Sequence, residues 1–148
     1  MSGMTPLHLS PEDPRHAAAL ERLRTEEIAW LGSIGRDGFP HAVPVWFLWQ
    51  DDLAYVFSQP TAAKVRNLRV NPRAMLHLEA GETGDDMHVL QGVAELSPEP
   101  TTAWLDRIGE SYLAKYTAGL ARLGWEPDRM WNDYSTVVVF RPHKLIAW

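Results

Sequence analysis

The chain contains no cysteine. That absence excludes disulfides, thiolate zinc sites, iron–sulfur clusters and thiol nucleophiles together. Long apolar runs are also missing: nothing approaches the ~18 residues that cross a bilayer as a helix, so no membrane span is expected. The opening residues, Met1-Ser2-Gly3-Met4-Thr5-Pro6, show no basic start leading into an apolar core. No signal peptide is read, and a cytoplasmic location is expected. Positive charge is scarce, with 14 Lys and Arg against 19 Asp and Glu and a net charge of −5. That balance disfavours a nucleic-acid partner. There is no G-x-G-x-x-G, no G-x-x-x-x-G-K-[ST], no H-E-x-x-H and no G-x-S-x-G, which removes the usual dinucleotide, P-loop, zinc-protease and serine-hydrolase readings. The six histidines form no helical i, i+4 pair, and no metal site is assigned.

At 148 residues the chain fits a single domain, which folds without staples because a domain of ~150 residues buries roughly 70% of its unfolded surface. The abundant residue is tryptophan: Trp30, Trp46, Trp49, Trp104, Trp125, Trp131 and Trp148. Indole is costly to expose and seeks a partner for its N–H when buried. Core packing and dimer contact account for most such residues, while one or two can wall a flat aromatic ligand.

Local patterns divide the chain into a loose arm over residues 1–10 and one domain over residues 11–148. Ser10-Pro11-Glu12-Asp13 opens a helix predicted from Pro11 to Glu26, with Ser10 as its cap. Strands are predicted over Ile28–Ile34, His41–Trp49 and Leu53–Ser58, the first two joined by an Asp37-Gly38 hairpin turn. Thr61–Val70 has helical spacing and stops at Asn71-Pro72. Strands follow over Arg73–Ala80 and Met87–Leu96. Ser97-Pro98-Glu99-Pro100 opens a further helix, a second helix runs from Glu110 to Leu123, and residues 124–133 read as irregular. Ser135–Phe140 and Leu145–Trp148 close the chain as two strands. Hairpin connections make the sheet antiparallel. The fold class is therefore mainly β with flanking helices: a six- to seven-stranded barrel.

Two places carry chemistry. The strand ending at Phe57-Ser58 runs into a short helix whose first turn holds Thr61, Ala63 and Lys64. A hydroxyl, free amides and an ammonium converging at a helix N-terminus suit an anion such as phosphate. The plainer alternative has Thr61 acting only as a cap and Lys64 as a solvated cation. The second place is His41–Trp49. Pro44 cannot donate to a ladder, so this strand is an edge, carries a bulge, or exposes backbone groups able to read the rim of a planar heterocycle.

Together these stretches resemble the pyridoxamine 5'-phosphate oxidase-like family of split β-barrel flavin and deazaflavin binders. The resemblance rests on Ala29-Trp30-Leu31-Gly32-Ser33-Ile34, Gly38-Phe39-Pro40-His41-Ala42-Val43-Pro44-Val45-Trp46-Phe47 and Val56-Phe57-Ser58. It continues through Lys64-Val65-Arg66-Asn67-Leu68, Asn71-Pro72, Gln91-Gly92-Val93-Ala94-Glu95-Leu96 and the closing strand to Trp148.

The resemblance implies a homodimer with two cofactor sites at the subunit interface and a small-molecule substrate. Val43, Pro44, Val45 and Trp46 would lie along the flavin-like ring. Phe57, Ser58, Ala63 and Lys64 would hold the phosphate, beside the Thr61 already singled out from the helix start, and Trp148 would complete the pocket. The FMN-dependent oxidase has arginines where this chain has Val43 and Ala63, and an arginine–glutamine pair where it has Asp86 and Met87. True pyridoxamine-phosphate oxidase activity is therefore not expected. Trp30, the Phe57-Ser58-Gln59-Pro60 corner and Trp148 look closer to the actinobacterial branch that uses coenzyme F420. The expected function is F420-dependent hydride transfer to a small unsaturated or aromatic substrate. The alternatives are an FMN-dependent oxidase or reductase and a non-catalytic flavin- or deazaflavin-binding protein.

Overall fold

The computed structural model describes residues 4–148. Helix α1 (Pro14–Thr25) precedes strands β1 (Ile28–Ile34), β2 (Pro40–Trp46), β3 (Leu48–Gln50) and β4 (Leu53–Ser58). Helix α2 (Ala63–Val70), β5 (Arg73–His77) and β6 (His88–Pro100) follow. Helices α3 (Thr101–Leu123) and α4 (Pro127–Asp133) then lead to β7 (Thr136–Ala147). All pairings are antiparallel, in the order β2-β1-β5-β6-β7-β4-β3. The two edge strands, β2 and β3, are consecutive in the chain and separated only by Phe47. Chain continuity thus brings the sheet's two edges together, and the sheet closes into a barrel that is split at one joint.

The joint is held by side chains in place of a ladder. The Phe47 N–H donates to the Tyr116 hydroxyl at 2.8 Å, and that hydroxyl reaches the Glu27 carbonyl at 2.7 Å. The Lys115 ammonium donates to the Phe47 carbonyl at 2.8 Å and lies 3.7 Å from the Phe47 ring centroid. Buried backbone groups need partners, and here adjacent residues of α3 supply both.

Alternation along the strands sorts the core. Leu31, Val45, Val56, Leu76, Leu90, Val138 and Phe140 fill the barrel, which is closed by Ala19, Leu20 and Leu23 of α1 and Leu68 of α2. On the outside, Tyr55 and Phe57 of β4 and Val137 of β7 pack beneath Ile108, Tyr112, Tyr116 and Leu120 of α3 and Met130 and Trp131 of α4. The helices therefore cover the outer face of β3, β4 and β7, together with Trp46 at the end of β2 and Ser97 on β6, leaving the rest of the outer face of β2, β1, β5 and β6 to other neighbours.

Several boundaries differ from the sequence reading. The cap of α1 is Asp13, whose side chain accepts from the Arg15 N–H, so the helix begins at Pro14. The predicted 41–49 strand breaks at Phe47. The helix expected from Ser97 starts only at Thr101, because Pro98 and Pro100 hold Ser97 and Glu99 extended. Helix α3 is one unbroken helix of 23 residues ending at left-handed Gly124. Part of the stretch read as irregular is α4, entered at Pro127. The last two predicted strands are one: Pro142 is accommodated opposite Gly92, where the β6–β7 register shifts. A Cβ on Gly92 would come within 2.1 Å of the Arg141 carbonyl. From Leu7 to Leu9 the arm is seated on the barrel. Leu9 is 2% exposed, the Leu7 N–H bonds the Pro142 carbonyl, and Asp52 takes the Leu9 N–H and the His8 ring. Residues 1–3 of the predicted arm lie outside the described residues.

Tyr116→Phe leaves the buried Phe47 N–H without an acceptor, and a loss of ~1–3 kcal/mol is expected in urea unfolding. The Lys115 ammonium is pushed down to about 8 by burial, partly offset by Glu27 and Glu26. In the unfolded chain it regains a value near ~10.4. Between these values the unfolded chain binds more protons, so stability rises as pH increases from about 8 to about 10. Above that range Tyr112 and Tyr116, whose phenols burial pushes up, reverse the trend. Unfolding midpoints of Lys115→Met should lack the rise between pH 8 and 10.

Candidate cofactor site

A cavity of about 350 Å³ opens where β2, the end of β4, α2 and the α3–α4 corner meet. Its lining includes Pro44, Val45, Trp46, Phe57 and Lys64, five of the ten residues singled out from sequence. Along β2, Pro44 and Trp46 project outward, while Val43 packs against the barrel core. Of the alternatives left open for Pro44, the edge is the one found: β2 ends the sheet, and Pro44 lies opposite Trp30.

Trp46 is fixed by the same helix that holds the joint. Its indole stacks on Tyr116 at 4.6 Å with 3° between planes. Gly119 makes room for it, since a Cβ there would sit 3.0 Å from Trp46 Cη2. Phe57 forms the floor, packed on Tyr112 at 4.6 Å and edge-on to Trp131.

Lys64 enters from the first turn of α2. Among the described residues no carboxylate lies within ion-pair distance of its ammonium and no hydrogen-bond acceptor faces it. It is half-buried, and burial alone pushes its pKa down. The cap of α2 is Ala62, in extended conformation and without a side-chain bond. Thr61 therefore does not cap the helix, which corrects the sequence reading. It is exposed, and its carbonyl accepts from Arg66. The amides of Ala63 and Lys64, the first two of the helix, have no acceptor among the described residues. An unpaired ammonium beside free helix N-terminal amides is a donor set for a phosphate-like anion. Ser58 is fully buried, with its hydroxyl turned to the Gln59 carbonyl. Trp148 is 71% exposed and paired through its backbone with Met87, away from this cavity within one chain.

The remaining wall is Ile28, Leu123, Trp125, Met130 and Tyr134, which sequence reasoning missed. The Glu126-Pro127-Asp128 start signal of α4 was the available clue. Trp125 and Tyr134 pack at 6.0 Å, and the Arg129 guanidinium covers Trp125 at 4.2 Å.

Known proteins share this fold. No match was found among curated proteins. Solved structures match along nearly the whole chain. The conserved hypothetical protein Rv2991 from Mycobacterium tuberculosis is 25% identical, with a TM-score of 0.71, over 100% of this chain and 88% of that one. An F420 reductase is 18% identical, with a TM-score of 0.61, over 85% and 94%. The heme storage protein HutZ from Vibrio cholerae is 19% identical, with a TM-score of 0.60, over 95% of both chains. The pyridoxamine 5'-phosphate oxidase family description matches residues 16–148. The chain belongs to the pyridoxamine 5'-phosphate oxidase family, with its mainly β, split-barrel fold.

Proposed function

We propose that the protein is a homodimeric oxidoreductase that binds coenzyme F420 and reduces a small unsaturated or aromatic molecule. The observation that carries this reading is Lys64: an unpaired, half-buried ammonium at a helix start, beside an aromatic-walled cavity. The ammonium and the Ala63 and Lys64 amides hold the phosphate. Pro44 and Trp46 give the ring a rigid apolar surface, and Phe57 and Trp125 exclude water around it. When bound, the deazaflavin supplies a hydride, and these residues supply orientation and a dry setting. The structural neighbour that is an F420 reductase supports the choice of cofactor, and the HutZ neighbour supports a carrier as the competing reading.

The homodimer rests on the sheet face that α3 and α4 leave bare. Pro44, Trp30, His77, Val89 and Ile146 form one cross-strand row on it. Ile28 and Ile34 on the same face are 39% and 36% exposed. Apolar residues grouped on one sheet face call for a partner surface, and Trp148, two residues beyond Ile146, would then approach the partner's cavity.

Titration of F420 and FMN, followed by tryptophan fluorescence, tests the cofactor. F420 binding is expected, weakened about 10- to 100-fold in Lys64→Ala, the ~1.5–3 kcal/mol of a charged hydrogen bond. Binding of FMN alone would overturn the choice of cofactor. Binding without turnover of enones or quinones would establish the carrier. Sedimentation should show a dimer, converted to monomer by Ile146→Asp.

A further inference from the structure

A second, larger cavity of about 730 Å³ lies on the bare sheet face. Its floor is a single cross-strand row. Ala42 pairs with Gly32, Gly32 with Met75, Met75 with Gln91 and Gln91 with Lys144, and all five line the cavity. At ~4.8 Å per strand this row spans roughly 19 Å. The recess exists because its β2–β1 end carries only a methyl and a hydrogen, at Ala42 and Gly32. A Cβ on Gly32 would be tight only against the flexible end of Met75, at 3.3 Å, with Met75 Cβ and its carbonyl at 3.6 and 3.7 Å.

The charge of this recess is as one-sided as its shape. Arg73, Lys144, His41 and His143 line it, and no aspartate or glutamate does. Neither Arg73 nor Lys144 has a carboxylate partner among the described residues. His41 Nδ1 and His143 Nε2 are buried without hydrogen-bond partners. In a chain of net charge −5, an apolar depression with cations and no acid focuses positive potential. The recess row is displaced by two residues along every strand from the Pro44–Trp30–His77–Val89–Ile146 row given to the partner surface.

We infer that this recess binds a flat, apolar organic anion, its rings on the Ala42–Gly32–Met75 floor and its anionic group toward Arg73 and Lys144. Ala42 and Pro44 are alternate residues on the same outward face of β2, so such a ligand lies about 7 Å of strand from the surface given to the cofactor ring. Its identity as the molecule reduced rests on the proposed function, whereas its binding does not.

The test uses the full-length protein and two fluorescent probes of similar shape: the anion 8-anilinonaphthalene-1-sulfonate and the neutral N-phenyl-1-naphthylamine. Saturable binding of the anion, one per chain, is expected. Arg73→Gln with Lys144→Gln should weaken the anion at least about 10-fold, as for lost charged hydrogen bonds, and leave the neutral probe within about twofold. Gly32→Leu, which fills the recess, should abolish binding of both, and Lys64→Ala should change neither. Circular dichroism and sedimentation confirm fold and assembly, and the charge variant decides alone if Gly32→Leu does not fold. The inference is overturned if the wild type binds no anion, if both probes weaken equally in the charge variant, or if Lys64→Ala weakens the anion as much. Probe binding without F420 binding retires the proposed cofactor and keeps the recess, whereas F420 binding without probe binding does the reverse.

Discussion

The structure turns on the main-chain groups of one residue. Phe47 stands where a closed barrel would continue its ladder from β2 to β3, and no strand reaches it. A buried N–H or carbonyl left unpaired costs about 1–3 kcal/mol, so the joint needs a donor and an acceptor at fixed positions. Tyr116 and Lys115 provide them from neighbouring residues of one helix. Tyr116 then has a second consequence. Its ring carries the indole of Trp46, so the helix that closes the barrel also sets the wall of the smaller cavity. Barrel closure and site geometry share a side chain.

Docking α3 along β3, β4 and β7 also divides the outer surface. One half is covered by the chain's own aromatic residues, and the other displays Ile28, Trp30, Ile34, Met75, Val89 and Ile146. Both cavities lie along β2, the strand at the margin of the bare half. Pro40 and Ala42 face the larger cavity, Pro44 and Trp46 the smaller. The period-two alternation of a single edge strand therefore serves two depressions without any inserted loop.

Much of this was legible in the sequence where the determinants are local. The β-branched run Val137-Val138-Val139, the Asp37-Gly38 turn and the Asn71-Pro72 stop locate their elements because each acts over a few residues. Lys64 was legible for the same reason: cation and helix start are adjacent in sequence. The failures are tertiary. Thr61 has the chemistry of a cap, but the backbone turns extended one residue later, at Ala62. The break at Phe47 is invisible in an apolar run, since its cause is a tyrosine 69 residues away. Leu123, Trp125, Met130 and Tyr134 reach the cavity only because α3 ends at Gly124 and α4 turns back over Phe57. Pro142 ends a strand by propensity but is tolerated here, because Gly92 opposite it has no side chain at the point where the register shifts.

The placement of charge is the remaining regularity. Several acids at the barrel's periphery have structural partners. Asp52 holds the arm, Glu79 takes the Trp30 N–H, and Glu26 and the Asp86 backbone take Arg22, which ties α1 to the loop before β6. None of them lines either cavity, and the cations that do, Lys64, Arg73 and Lys144, stand without carboxylates. A negatively charged protein would ordinarily repel anionic ligands at long range. Concentrating unpaired cations in two low-dielectric depressions reverses that sign locally, where screening by water is weakest. Any selection for negative ligands would then be set by which cavities lack acids, more than by the net charge of the chain.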